Sequence, residues 1–407
     1  MLTNIENAKE LNECLCCGSS KLKTILDLGK QPLANSFKNS KDDSELTFPL
    51  KMNLCEDCTH LQLSHAVNPD LLFKHYLYVS GTSKTYLEYM DWFVKHTNTY
   101  FTETPTTVLD IACNDGSQLN AFKKAGFKTY GVDPAENLHK LSSINHDVIC
   151  DYFTEKYVYH LKNKHIDVIN AQNVFAHTDY PLDFLKQCRN IMHDQSRLFI
   201  QTSQADMVRN NEFDTIYHEH LSFFNANSMN ELAKRAGLYL IDIVKTPIHG
   251  NSYMFVFSKV PADASKVQAV LDEEKTAGLQ NFDTYTAYAT KCFQVVKELK
   301  DTLQYYKDQG YILAGYGAAA KGNTLINFGN LYLDFIIDDN ELKQGKFAPG
   351  SNIPVVSSAR LSEVTDKHVV FVPLAWNLFT EIKQKIKELR NQDKDIFIKY
   401  FPEVTTN

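Results

Sequence analysis

The middle of the chain alternates short apolar runs with amphipathic stretches. From Thr107 it reads TVLDIACNDGSQLNAFKKAGFKTYGVDPAEN. An apolar run leads into a small polar turn, then a segment with Leu119, Phe122 and Ala125 on one helical face. After Gly126 a second apolar run stops at Asp133, so the pattern predicts strand, turn, helix, strand. It continues with a buried strand over 165–172 (HIDVINAQ), a helix over 181–192 and a strand over 197–202 (RLFIQT), a sequence of elements that makes a doubly wound α/β sheet. The last third repeats the alternation. A long helix carries Phe282, Tyr285, Cys292, Val296, Leu299 and Leu303 at mostly helical spacing and ends at Gly310; YILAGYGAAAKGNTLINFG and LDFIIDDN then read as strand, glycine turn, helix, strand. VVFVPLAW and DIFIKYF add strands with a helix over 378–389 between them. The two Rossmann-like units share an architecture and no obvious sequence repeat.

At roughly 150 residues per domain, 407 residues predict two or three domains. The pattern favours three, over 1–72, 73–260 and 261–407. With 43% hydrophobic and 22% charged residues the chain is a folded protein with real cores. A net charge of −7 and a pI near 6.1 leave no overall basic face for a nucleic-acid backbone, which points to a small-molecule partner and to no nucleic acid. The start, MLTNIENAKELNE, has neither the basic beginning nor the apolar core of a leader, and VVFVPLAW is far short of the ~18 apolar residues of a membrane span. A cytoplasmic protein without a membrane partner is expected. Its nine cysteines are then thiols, metal ligands or small buried hydrophobes rather than disulfides.

Four of them form two C-x2-C pairs, Cys14 with Cys17 and Cys55 with Cys58, followed by Gly18 and Thr59. That spacing lets two sulfurs per turn converge on one tetrahedral Zn²⁺, provided residues 18–54 fold back. Four thiolates leave no open coordination position, so the expected metal is structural, and a segment of this size gains much of its folding free energy from it. Cys16 and His60 are spare neighbours.

The turn Ala112-Cys-Asn114-Asp-Gly116 has one glycine where dinucleotide folds carry three, and Asp133 stands at the next strand's tip, placed to accept from ribose hydroxyls. The turn D-I-A-C-N-D-G with that acid resembles the S-adenosylmethionine motif of class I methyltransferases. The resemblance implies donor contacts at Asp110, Asn114, Gly116, Asp133 and Pro134, and at Asn173 after the following strand. The first glycine of the usual motif is Ala112 here, a change that costs little if the backbone angles there are ordinary.

Ligands of doubly wound sheets sit beyond the carboxyl ends of strands. His177 follows one such strand, and the loop after another leads to Tyr217-His218-Glu219-His220. H-E-x-x-H is absent, so acid/base work, which asks only for an oriented neutral imidazole, fits better than a catalytic metal. A polar loop whose histidines simply bond backbone is the plain alternative.

The cysteine pairs, YLYVSGTS from Tyr76, DIACNDG, VFAHTDY, IYHEHLSFF and IHGNSYMF occur in one order along nearly the whole chain. In that order they resemble the three-domain C-methyltransferases that act on nucleotide-linked deoxysugars. The resemblance implies an α/β protein with a small N-terminal zinc domain, a class I methyltransferase sheet and a second Rossmann-like C-terminal domain. It implies C-3 methylation of a TDP- or GDP-linked 4-keto-6-deoxy sugar, with S-adenosylmethionine and structural Zn²⁺ as cofactors and a monomer or weak dimer as the assembly. His220 is then the base at C-3, oriented by Glu219, with Tyr217, His177 and Tyr78 around the sugar. The third domain would hold the nucleotide diphosphate through Tyr316, Lys321 and Asn323, the turn Gly315-Tyr316-Gly317 opening a helix N-terminus beside the lysine. His249 and Asn251 would touch substrate, although His249-Gly250-Asn251-Ser252 is followed by Tyr253 where the family often has arginine. The loop 343–352 is of a kind that closes over ligands. An O- or N-methyltransferase on the same donor fold is the runner-up, and a non-catalytic zinc-domain adaptor the third reading.

Overall fold

The computed structural model describes residues 7–76, 79–82, 84–203, 206–390 and 392–407. The apolar runs of the middle segment become strands covered on both faces, which is why Thr107–Ile111 and Val168–Gln172 are buried almost throughout. Seven strands form one sheet in the spatial order Tyr239–Thr246, Ser252–Ser258, Arg197–Thr202, Val168–Gln172, Thr107–Ile111, Lys128–Val132, Asp147–Ile149. The last five run parallel; Ser252–Ser258 is antiparallel to both of its neighbours. The predicted helix over 181–192 spans Pro181–Ile191, started by its proline at a position where a missing N–H costs nothing. Order reverses at Thr107–Ile111, so its carboxyl end opens a crevice.

The C-terminal unit has five parallel strands with Ile312–Tyr316 central, plus an antiparallel edge at Thr405–Thr406. The helix Phe282–Asp308 buries Tyr285, Tyr288, Cys292, Leu299 and Leu303, while Phe282 itself is exposed; Ser265–Thr276 forms a further helix. The two Rossmann-like turns coincide in detail. Ala112 and Gly317 both have positive φ and donate N–H to the last carbonyl of the next strand, Val132 and Ile337, at 2.7 Å each. Asp133 and Asp338 both accept a turn N–H on one carboxylate oxygen (Asn114, 2.8 Å; Ala318, 2.6 Å) and an N–H two residues on with the other (Ala135 and Asn340, 2.8 Å each). They differ in that Lys343 lies beside Asp338, donating to the Ala318 carbonyl at 2.9 Å.

The N-terminal sheet runs Leu22–Pro32, Thr47–Cys55, Leu61–Leu63, and its fourth strand is Ser222–Phe223, immediately after the histidine cluster. The backbone of Leu221 ties three regions together: its N–H donates to Ala176 O (2.7 Å) and its carbonyl accepts from Leu63 N (2.9 Å). The loop 343–352 is pinned rather than free to close. Phe347 pairs with Lys38 through backbone, and the Gly350 N–H donates to the Glu45 carboxylate at 2.9 Å, which ties the loop to the segment between Leu22–Pro32 and Thr47–Cys55. No helix among the described residues is long and apolar enough to cross a membrane.

Candidate active site

The two cysteine turns are alike. Each is closed by a residue of positive φ, Gly18 or Thr59, whose own N–H donates to the carbonyl of the first cysteine, Cys14 or Cys55. Cys14, Cys17, Cys55 and Cys58 place their sulfurs within 4.8 Å of one another, with the Cys14–Cys58 and Cys17–Cys55 pairs at 3.5 Å. Tetrahedral Zn²⁺ at ~2.3 Å from each thiolate needs sulfur separations of about 3.8 Å, so the four residues fit that ion. Cys16 is buried outside the set, and the His60 Nε2 pairs with Ser222 Oγ at 3.1 Å. Both spare neighbours are thereby accounted for.

At the crevice the turn carries three positive-φ residues, Ala112 (62°), Asn114 (51°) and Gly116 (84°). The angles at Ala112 are not ordinary, so the condition for a low cost is not met: its Cβ is held in the left-handed region, a strain of roughly 1–2 kcal/mol. Below the turn, Asp110 accepts from Asn170 Nδ2 at 2.6 Å, and burial pushes its carboxyl up to about 8. It is a strut under the turn and not part of the cavity wall, and Gly116 begins the helix Ser117–Lys124 beside it. Asn114, Asp133, Pro134 and Asn173 do line the cavity, which holds about 660 Å³. Burial raises the Asp133 carboxyl, whose two backbone donors still leave oxygen lone pairs for a ribose.

Tyr217, His220 and His177 line the same cavity. His220 Nδ1 lies 2.8 Å from Thr215 O, an acceptor only, so Nδ1 carries the proton and Nε2 keeps its lone pair. The Tyr217 hydroxyl, at 2.9 Å, donates to that lone pair. The ring of His177 stacks between Phe73 and His220, centroids 5.3 Å away on each side; burial drops its pKa to about 4, and its Nε2 makes no hydrogen bond among the described residues. His218 is buried against the N-terminal sheet, its Nε2 3.3 Å from Phe48 O, and is structural.

Glu219 does not orient His220. Its carboxylate accepts from Asn35 Nδ2 (2.6 Å) and the Tyr76 hydroxyl (3.1 Å), while the imidazole nitrogens are taken by Thr215 and Tyr217. In a tight turn, adjacent side chains project in different directions, and the backbone carbonyl wins the imidazole. Burial pushes Glu219 up to about 7. Tyr76, on the cavity wall, and Asn35 are residues that sequence reasoning passed over; Tyr76 opens the segment YLYVSGTS, in which Tyr78 was preferred. Tyr78 lies outside the described residues, as does the side chain of His249.

Of the residues assigned to substrate, Lys321 reaches the same cavity, its Nζ 5.0 Å above the Trp376 ring. Asn323, two residues on, is 5% exposed with neither amide atom hydrogen-bonded among the described residues. Tyr316 donates to Asp339 away from the cavity wall. Asn251 donates to Asp206 at 3.0 Å and lines a second cavity of about 490 Å³.

Three domain families match the chain: a zinc binding domain over residues 14–73, a methyltransferase domain over 86–243 and a C-methyltransferase C-terminal domain over 247–402. The C-methyltransferase NovU of Streptomyces niveus is 30% identical over 394 residues, 93% of each chain. Among solved structures, the plantazolicin methyltransferase BpumL in complex with SAH is 16% identical over 42% of this chain and 82% of its own, TM-score 0.35. An S-adenosylmethionine-dependent methyltransferase from Clostridium acetobutylicum ATCC 824 is 12% identical over 42% of this chain and 91% of its own, also at 0.35.

Proposed function

This chain belongs to the C-methyltransferase family, an S-adenosylmethionine-dependent enzyme with a structural zinc, and from that premise we propose that it methylates C-3 of a nucleotide-linked 4-keto-6-deoxy sugar, the nucleotide being TDP or GDP. The donor supplies an electrophilic methyl on a sulfonium. Asn114, Asp133, Pro134 and Asn173 hold it at the strand ends, with Asp110 and Gly116 fixing the turn. The observation that carries the reading is the His220 tautomer: an imidazole whose Nδ1–H is committed to Thr215 O presents a basic Nε2 to the cavity shared with those residues.

A hydrogen next to a ketone becomes acidic only when the enolate is stabilised as it forms. His220 Nε2 takes the C-3 proton, and the C–H pair becomes the enolate. The Tyr217 hydroxyl, which rests on Nε2, turns to the C-4 oxygen when substrate displaces it. His177, held neutral, adds a ring N–H on the other side. The C-3–methyl bond forms as the sulfur–carbon bond breaks, its pair staying on sulfur, and His220 returns its proton to water. Both partners must be clamped at about 3–3.5 Å for this to occur, and Tyr76 with Glu219 forms part of that wall.

The test is mass spectrometry of TDP- and GDP-4-keto-6-deoxyhexoses after incubation with enzyme and S-adenosylmethionine, with deuterium wash-in at C-3 measured in D2O. A carbon-bound methyl and exchange at C-3 are expected with one of the two nucleotides. Methyl transfer to oxygen or nitrogen with no exchange at carbon would refute the reading.

A further inference from the structure

The loop that carries His220 belongs in sequence to the methyltransferase unit, yet residues of the C-terminal unit hold the stretch that leads into it. Phe213 is fully buried against the rings of Phe328 and Phe401, centroids 5.4 and 5.5 Å away. Asp214 is fully buried as well. Its Oδ2 accepts the Trp376 Nε1 proton at 2.9 Å and lies 3.3 Å from the Tyr400 hydroxyl, which shares its proton with Leu374 O at 3.1 Å. Burial raises that carboxyl to about 6 against the pull of Lys321, so at pH 8 it is ionised and an acceptor only. Two residues on, the Ile216 carbonyl accepts from Thr324 Oγ1 at 3.0 Å, a side chain of the helix Ala320–Gly329. Between these anchors lies the peptide that joins Thr215 to Ile216. Its N–H donates to Phe213 O at 3.0 Å, and because a peptide is planar its carbonyl points the opposite way, to His220 Nδ1 at 2.8 Å.

We propose that Asp214 is a positioning residue for the base, and that the C-terminal unit, through Trp376, Tyr400 and Thr324, sets the tautomer of His220 by fixing the Thr215 peptide. This rests on the reading of His220 as the base. A neutral imidazole carries one N–H, and which nitrogen holds it is set by the hydrogen bond the other ring atom finds. If Thr215 O swings away, the proton is free to sit on Nε2, and the ring then faces the sugar as a donor that cannot take the C-3 proton. The C-terminal unit thereby takes part in the proton transfer through the backbone of a loop it does not itself contain.

The test is nitrogen NMR of the full-length, zinc-loaded enzyme with isotope-labelled histidine at pH 8, the His220 signals being those that vanish in His220→Asn. Wild-type His220 should show a protonated Nδ1 and a bare Nε2. Asp214→Leu removes the acceptor of the indole. Tyr400→Phe combined with Thr324→Val is the milder change, close to isosteric at both positions, and neither residue is among those that line the two cavities. Both variants should move His220 toward a mixture of tautomers. Their kcat should fall by as much as about a hundredfold, the cost of a misplacement of about 1 Å, with KM for the sugar nucleotide and S-adenosylhomocysteine affinity unchanged. Asp214→Asn, which keeps a carbonyl oxygen for the Trp376 N–H, should recover most of that loss. A His220 spectrum identical to wild type in every variant overturns the assignment whatever the rates, and leaves the proposed function standing. A shifted tautomer in enzyme that methylates no tested sugar keeps the positioning role and removes the base reading instead.

Discussion

Replacing His220 by Asn removes the Nε2 lone pair and little else. The asparagine amide can still donate toward Thr215 O, which is 2.8 Å from Nδ1 in the native ring, while the Tyr217 hydroxyl, 2.9 Å from Nε2, loses its acceptor. Losing that one hydrogen bond costs about 0.5–1.5 kcal/mol of stability, too little to unfold a chain of this size by itself. A general base contributes on the order of 10²–10⁴ in rate, or about 3–5 kcal/mol at the barrier. The expected phenotype is a fall in kcat of that size with S-adenosylhomocysteine affinity preserved, because the partners of its ring, Thr215 and Tyr217, lie outside the donor turn. The decisive assay is C-3 hydrogen exchange into D2O, with the 4-keto sugar nucleotide and S-adenosylhomocysteine present so that no methyl can move. Exchange should disappear with transfer. Retained exchange with transfer lost would move the base elsewhere and leave His220 a positioning role, and Tyr217→Phe, which spares the imidazole, should still exchange.

Four further outcomes follow from the geometry. Strong chelation, or Cys58→Ser, should release zinc, lower the melting temperature and reduce turnover as well, since the strand Leu61–Leu63 just beyond Cys58 pairs with Ser222–Phe223 beside His220; zinc content, calorimetry and activity on one sample would expose the error if activity survived metal loss. Ala112→Gly relieves roughly 1–2 kcal/mol of left-handed strain against ~0.4–1 kcal/mol of added unfolded-state entropy, so the urea midpoint should rise slightly, and a fall would contradict it. Asp110, Glu212, Asp214, Glu219 and Glu274 all have carboxyls raised by burial, to between about 6 and 8. These carboxyls bind more protons in the folded state than in the unfolded one, while His177 and His218, lowered to about 4 by burial, act the other way up to the ordinary histidine range; above that range the carboxyls prevail, and stability at saturating zinc should decline from pH 7 to 8. Glu219→Gln should flatten the slope of the denaturation midpoint with pH, and an unchanged slope would deny Glu219 its share. Lys321→Ala should raise KM for the sugar nucleotide more than it lowers kcat, and equal kinetics would remove it from the substrate site.

Much of this was readable in the chain because it is periodic or spaced. The apolar runs of Thr107–Ile111 and Val168–Gln172 follow from burial on both faces, and the paired cysteines from the two turns that zinc requires. The cluster after Asp214 stood out because ligands of a doubly wound sheet sit beyond the carboxyl ends of its strands, where the loop after Arg197–Thr202 leads. The errors arose where direction rather than identity decides. Glu219 adjoins His220 in sequence, yet its oxygens face Asn35 and Tyr76. What orients the imidazole is the carbonyl of Thr215, a group every residue carries and no sequence pattern marks. Ala112 hid its left-handed backbone behind a side chain that gives no hint of it. The fourth strand of the N-terminal sheet, two residues long and drawn from 222–223, has no period to detect.

The matching turns at Asp133 and Asp338 have unequal fates. In the C-terminal copy a lysine of the chain itself stands beside the acid, so that cradle is permanently filled by its own protein. No ribose can therefore take the place at Asp338 that Asp133 leaves open. The middle copy leaves its acid facing a void, and whatever enters raises its melting point by mass action. Heated with increasing S-adenosylhomocysteine, the molecule should behave as two units of one architecture, the middle one responding to the concentration of that ligand and the C-terminal one not.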